Sequence, residues 1–562
     1  MAGTNFSVQV NDEGRWIVDA EFSSEAEALK HAENLVTAAD HSGVKVVREW
    51  TRGDGTITER EIFNKTISGR KKKITIVPVE ETNDCVEDTD YYTLESRSVM
   101  GRILRKYLDE ICATPMELLH NYQLIKRFLD HDIYPAAVDR IATLQATRAK
   151  TSSKVRRDEI FSAVDRLAAR ARQAEERKAG GGLSRVVAKT LEQDGGIQED
   201  FLVRVAMAHD LSEIRSWIGK MQRLLQLIGE SPSEGQAVLA DGFIADILST
   251  PEAIRELLGD QPNLGATIRS LVDLLLGCEA EEDNKRLGET TAVLQRLLME
   301  GHFPSADAVI VDRVRRLVIS PQKLSRNAPD QEEDTFRGVF SRLITPDGIL
   351  GGPTMAEALT QRFCRNFDEG KTSGTEKAVF GMAEMLRDRA YRIRYLLMIT
   401  STDTGSTHTA TIGKAILEMV NAAPDIHNFC YYRLVPLKKL TIVTDLMRRT
   451  LASALEESTK AAIVERLDKL LVIYIDREKL VDMLDDQKHH FGLRAVRLVK
   501  FCGSGVLMEG EALNVVRQRV IELLRRPRFV EEFTSMCKTR EDADRTIREF
   551  RALLSNSGFS VG

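Results

Sequence analysis

Two hydrophobic rhythms divide the chain. Up to about residue 79, apolar residues alternate with polar ones, as on strands. From Leu94 to Leu554 they return every three or four positions, as on one face of a helix. In the first part, Phe6-Ser7-Val8-Gln9-Val10 alternates, Asn11 to Gly14 supplies turn residues, and Trp16 to Phe22 follows, which predicts a hairpin. Ser24 and Glu27 have capping-box spacing before a helix whose Ala28, Leu29, Ala32, Leu35 and Val36 share a face. Val44 to Trp50 and Ile57 to Phe63 read as two more strands, and Ile74 to Val77 as a fifth. The order ββαββ predicts a small antiparallel sheet covered by one helix, with Trp16 and Trp50 at least partly buried.

The helical part is punctuated by residues suited to helix starts. Thr114-Pro115, Ser231-Pro232, Thr250-Pro251, Ser320-Pro321 and Thr345-Pro346 each place a capping side chain before a proline. The clearest stripe, through Leu211, Ile214, Ile218, Met221, Leu225 and Ile228, predicts one helix from Asp210 to Ile228, ended by Gly229. Lys154 to Lys178 differs. Its stripe of Val164, Leu167, Ala171 and Ala174 is thin and the other faces are charged, so it reads as an exposed helix or one arm of a coiled coil. Gly180-Gly181-Gly182 reads as a hinge, Thr400 to Thr411 as a long loop, and Gly348 to Pro353 as a break. No fixed repeat emerges. The expected fold is mainly α, as irregular helical bundles or an α-solenoid, with a small N-terminal α+β domain. The expected boundaries are 1–79 for the α+β domain, 80–93 for an acidic linker, and 94–345 and 346–562 for two helical domains. The linker reading rests on six acidic residues within 80–90.

Composition supports helix on helix. Of 562 residues, 43% are hydrophobic and 29% charged, enough to build sizeable cores, while only 6% are aromatic and 14 are proline. The net charge of −6 creates no global field for nucleic acid, which is therefore not an expected partner. The basic runs Arg70 to Lys73 and Arg525-Arg526-Pro527-Arg528 read as surface charge. The N-terminal sequence shows no basic region followed by an apolar core, and runs such as Leu470 to Ile475 are too short to span a bilayer. Seven scattered cysteines without a CxxC pair suit buried free thiols in a reducing cytoplasm. The helical part is similar in style to bacterial cytoplasmic regulatory or scaffold proteins, with no motif behind that similarity.

Chemical signatures are near-misses. Gly370-Lys371-Thr372 ends like a phosphate loop, but Arg365 stands where the first glycine belongs; Gly413-Lys414 has His408 there. Cys502-Gly503-Ser504-Gly505 lacks the third glycine of a dinucleotide fingerprint and reads as a turn. Glu117-Leu118-Leu119-His120 matches one element of a di-iron bundle but has no second copy. His131-Asp132 and His209-Asp210 would matter in an all-helical phosphohydrolase only if they converged, and His489-His490 reads as a polar turn. No catalytic residue, cofactor or metal ligand is therefore assigned, and the sequence decides neither for nor against an enzyme. The leading expectation is a non-enzymatic cytoplasmic scaffold or regulator. It would bind a protein partner or a second copy through Val164, Leu167 and Ala171. One alternative is a composite helical active site, such as a metal-dependent phosphohydrolase. A second is a small-ligand sensor, which requires an apolar cavity with a few inward polar groups.

Overall fold

The computed structural model describes residues 4–12, 15–38, 43–51, 57–66, 79, 82–178, 197–229, 231–277, 288–326, 329–367 and 374–559. The expected strand at Ile74 to Val77, the basic run Arg70 to Lys73, the glycines 180–182 and Gly370-Lys371-Thr372 lie outside these residues. The fold is mainly α with a small N-terminal α+β portion, and the chain divides into two compact units, 1–215 and 216–562.

Alternation builds the sheet. Strands β1 (Thr4–Asp12), β2 (Arg15–Phe22), β3 (Gly43–Thr51) and β4 (Ile57–Thr66) pair antiparallel in the order β2-β1-β3-β4. Val8 lies opposite Val46 and Val10 opposite Val44, so the buried residues of both central strands face one side. Helix α1 (Glu25–Ala38) covers that side with Ala28 and Ala32. Trp16 takes the other side. It pairs with Asn11, remains 38% exposed and carries the Lys45 ammonium 4.6 Å above its ring.

The rest of unit 1 is helical: α2 (Leu94–Ile103), α3 (Arg105–Ile111), α4 (Pro115–His120), α5 (Tyr122–Leu129), α6 (Ile133–Ala149), α7 (Ser153–Lys178) and α8 (Ile197–Ser212). Residues 82–93, with the composition of a linker, are packed in place. Thr82 and Cys85 are buried, Asp88–Tyr92 forms a 3-10 turn, and the Asp88 carboxylate accepts from Nε and Nη2 of the Arg166 guanidinium on α7. The single helix expected from Asp210 to Ile228 is in fact two. Helix α8 stops at Ser212. Ser216 is extended, and its hydroxyl accepts the Gly219 amide to start the next helix. Apolar spacing runs through the break, but a capping serine in extended conformation overrides it. The division between the units falls at this break.

Unit 2 contains α9 (Trp217–Ile228), α10 (Glu234–Leu248), α11 (Pro251–Leu258), α12 (Leu264–Leu276), α13 (Glu289–Met299), α14 (Pro304–Ile319), α15 (Pro329–Leu343), the two-residue strands β5 (Ile344–Thr345) and β6 (Gly348–Ile349), α16 (Gly352–Phe367), α17 (Gly374–Met385), α18 (Arg389–Ile399), α19 (Asp403–Ser406), α20 (Thr409–Asn421), α21 (Pro436–Ala452), α22 (Glu457–Arg477), α23 (Leu480–Leu484), α24 (Phe491–Gly503), α25 (Glu511–Leu524), α26 (Phe529–Phe533) and α27 (Arg540–Asn556). Packing passes stepwise along this series, from α10 to α14, α16, α18, α21, α22, α25 and α24, as in an irregular α-solenoid. Across residues 345/346 the buried Arg362 of α16 donates to the carbonyls of Val318 and Ser320 and lies 3.4 Å from the Glu332 carboxylate.

Carboxylates from one helix close the ends of others. Asp241 of α10 accepts the Ser305 and Ala306 amides at the start of α14, and Asp468 of α22 accepts those of Glu511 and Ala512 on α25. The first amides of a helix have no partner in the helix itself, and they attract negative charge.

Several expected boundaries move. Thr114-Pro115 and Thr250-Pro251 do open helices. Ser233, not Ser231, caps α10; Ser320 ends α14; and Thr345-Pro346 belongs to the β5–β6 hairpin. A Ser/Thr-Pro pair suits a turn as well as a first helical turn, so the dipeptide alone does not choose. Thr400 to Thr411 is no long loop. Thr402 caps α19 by accepting the Gly405 amide, and α20 begins at Thr409. A Cβ on Gly405 would lie 2.1 Å from the Ile399 carbonyl oxygen, so the glycine is what lets this chain fold back tightly.

Candidate functional site

Helices α2, α4, α5, α6 and α7 line a cavity of about 120 Å³ in unit 1. Helix α6 supplies Tyr134, Ala137, Val138, Ile141 and Gln145, spaced so that they share one face; α2 supplies Val99, Met100 and Ile103 opposite. Leu118 and Leu119 of α4, Ile125 and Phe128 of α5, and Ile160, Val164 and Leu167 of α7 complete the wall.

One end of the lining is polar. Thr82, Asn83, Cys85, Tyr91, Ser96 and Gln145 meet there. Their groups bind one another. Asn83 Nδ2 donates to Ser96 Oγ at 2.7 Å, Ser96 Oγ donates to the Asp90 carbonyl at 2.6 Å, and Gln145 Nε2 donates to the Asn83 carbonyl at 2.6 Å. Arg156 Nε donates to Gln145 Oε1 at 2.7 Å, and Arg156 also reaches the Cys85 carbonyl and the Glu159 carboxylate. Burial pushes the Cys85 thiol up, against the opposing effect of its bond with Ser96, and pushes the Tyr91 and Tyr134 phenols up to about 12. All three side chains are therefore uncharged at neutral pH. Cys85 and Tyr91 also line an outer recess with Arg156 and Arg166, so they form the wall between the cavity and that recess.

The residues singled out from the sequence fall as follows. Leu167 and Ala171 are buried, 3% and 0% exposed, and Val164 is half-buried on the cavity wall. The α7 stripe packs against α5, α6 and α8 of its own unit. It does not stand free for a partner helix. The stripe looked thin because alanines fill much of it, and alanines allow close helix approach. The Glu-x-x-His pair is buried in α4: Glu117 accepts the Thr114 amide and hydroxyl as a capping box, while His120 Nδ1 donates to the Met116 carbonyl at 2.8 Å. Burial pushes His120 down to about 3, helped by Arg204, Arg97 and Arg170. Its ring lies among Tyr92 and Phe201.

His131 accepts the Ile133 amide and rests on Tyr107, and the Ser212 hydroxyl donates to the His209 carbonyl. Among the described residues, no group of three or more His, Cys, Asp or Glu side chains gathers to hold a metal. His490 caps α24 and bonds Ser535; in the preceding stretch Asp485 is buried against Arg494 rather than exposed in a polar turn. Gly413 packs on Thr459 within a helix, and Gly503 and Gly505 end α24 as a turn. The six described cysteines are free thiols, and Cys278 lies outside the described residues. No described helix is long and apolar enough to cross a membrane.

Sequence reasoning named Val164 and Leu167, which line this cavity, but as a surface for a partner and not as the wall of an internal space. A signal was present in α6, where Gln145 continues the spacing of Tyr134, Val138 and Ile141 and so places an amide on an otherwise apolar face. No family model, curated protein or solved structure matches the chain.

Proposed function

We propose that unit 1 is a binding module for a small apolar molecule and that the protein senses or carries it. The observation that supports this is the cavity itself. It is lined almost wholly by apolar side chains, and Asn83, Ser96 and Gln145 among its few polar groups are engaged in bonds with one another and with nearby carbonyls. Such a lining favours an apolar guest over a polar one, which would lose more hydration than the few polar groups return. A cavity of roughly 150 Å³ lined by aliphatic and aromatic side chains accommodates benzene. The space here, about 120 Å³, suits a guest of similar size. A guest of roughly six to eight heavy atoms would bind in the micromolar to millimolar range. The scaffold reading drew its interface residues from the α7 stripe, which packs inside the unit; the enzyme reading required convergent histidines and carboxylates. The cavity is the better foundation.

Benzene is the direct probe. Saturating benzene should raise the melting temperature of the full chain, because a ligand that binds only the folded state stabilises it. Ala137→Leu, which adds methyl groups into the cavity, should abolish the shift while the chain stays folded. A wild-type protein indifferent to benzene, or an unchanged shift in the filled variant, sinks the reading.

A further inference from the structure

Unit 2 carries a second concavity of opposite chemistry. A pocket of about 430 Å³ lies between the start of α18 and the segment from the 3-10 turn Ile426–Asn428 to Tyr432. Arg387, Arg389, Arg392, His427, Tyr431 and Tyr432 line it.

Its positive charge is only partly offset. The lining carboxylate, Asp388, accepts the Ala390 amide at 2.7 Å as the cap of α18. Nearby Asp425 is held by Arg477 Nη1 at 2.8 Å and by the His427 amide at 2.7 Å. Arg389 donates to the Met419 carbonyl and Arg392 Nε to the Leu386 carbonyl. These bonds fix both guanidiniums without neutralising them. Among the described residues none of the three arginines forms an ion pair. Behind the wall, Lys439 Nζ stands 3.1 Å from His427 Nε2, adding a buried positive charge. The pocket therefore concentrates positive potential in a concave site, where it acts more strongly than on open surface.

The rim is aromatic. Tyr431 and Tyr432 are 60% and 68% exposed, with ring centroids 6.3 Å apart and edge to face. Neither ring is needed to fill a core. Flat faces beside guanidiniums suit a base attached to a phosphate, since bases stack on aromatic rings and guanidiniums fork onto phosphate oxygens. The volume lies in the range of small-molecule sites, roughly 300–1,000 Å³, larger than a bare oxyanion requires.

We propose that this pocket binds a nucleoside phosphate, the arginines taking the phosphate and the tyrosines the base. The site is independent of the unit 1 cavity. Titration calorimetry on the full chain, with AMP and with inorganic phosphate at matched ionic strength, tests it. AMP should bind at least about tenfold more tightly than phosphate. Arg387→Glu should weaken AMP about tenfold or more. Tyr432→Ala should weaken AMP about fivefold or more and leave phosphate unchanged. Arg387 and Tyr432 are both exposed, so melting temperatures equal to wild type will show that the variants are folded. Absence of AMP binding, or AMP binding unaltered in Arg387→Glu, overturns the proposal. Equal affinity for AMP and phosphate removes the base-stacking half. A single-stranded oligonucleotide binding far more tightly than AMP would replace it with a strand-binding surface.

Discussion

The two concavities are built on opposite logics. In unit 1, side chains from five helices leave a small, mostly apolar space with a few polar groups at one end. In unit 2, arginines and tyrosines remain turned toward solvent around a larger, open pocket. The first kind of space is made of core residues, so it cannot be changed without touching stability. The second has an exposed rim, Arg387, Tyr431 and Tyr432, that the fold does not need, so that rim can be changed almost freely. The difference separates features inherited from packing from features that packing does not explain.

The largest effect should come from charging the cavity wall. Leu167→Asp buries an unpaired carboxylate and should cost about 4 kcal/mol. Arg387→Asp at the unit 2 pocket should stay within about 0.5 kcal/mol. Urea unfolding of both variants measures this, and equal losses would erase the distinction.

Next comes pH. His120, beside the cavity wall, is held neutral by burial, with a folded-state value of about 3 against an ordinary 6.5. The unfolded chain gains this proton as pH falls through about 6.5, while the folded chain does not until about 3. Stability from this group is therefore complete above 6.5 and declines below it by about 1.4 kcal/mol per pH unit, or about 2 kcal/mol at pH 5. Replacing His120 with Gln should flatten that part of the stability–pH curve. An identical slope in the variant would place the acid sensitivity elsewhere.

Smaller still, Ala137→Leu should stabilise unit 1 by about 1 kcal/mol by filling space. Its measured sign decides whether the void is truly free: destabilisation would mean that the wall is already at full density. Last, Tyr431→Ser should shift the melting midpoint by an amount corresponding to less than about 0.5 kcal/mol, because the ring is mostly in water.

Legibility followed the same division. The sheet was readable because period-two alternation and a capping box agree with its tertiary packing: Val8 and Val46 face the helix as their spacing requires. The helices were readable as a class, since the stripes are strong. Their ends were not, because Ser216 and Ser233 win over neighbouring signals by adopting extended backbone, a choice invisible in composition. Residues 400–411 defeated the reading for a related reason. Ser and Thr mark loops by frequency, yet here Thr402 works as a cap and Gly405 as a close-approach residue. The functional spaces were hidden more deeply. A cavity depends on how several stripes fail to fill a volume, and the arginine–tyrosine pocket joins residues some forty positions apart. Single-element spacing reports neither.

The shared position of Cys85 has a consequence for kinetics. Its sulfur belongs to the wall between the inner cavity and the outer recess, and burial keeps it as the slow-reacting thiol. At 7% exposure it meets a thiol reagent mainly when the structure around it opens. At low reagent concentration the labelling rate therefore reports how often the wall stands open, and at high concentration it approaches the rate of opening. A guest inside the cavity would be released through the same fluctuation if this wall is its exit. Labelling Cys85 and timing guest departure would then give one rate constant, which turns a static partition into a clock.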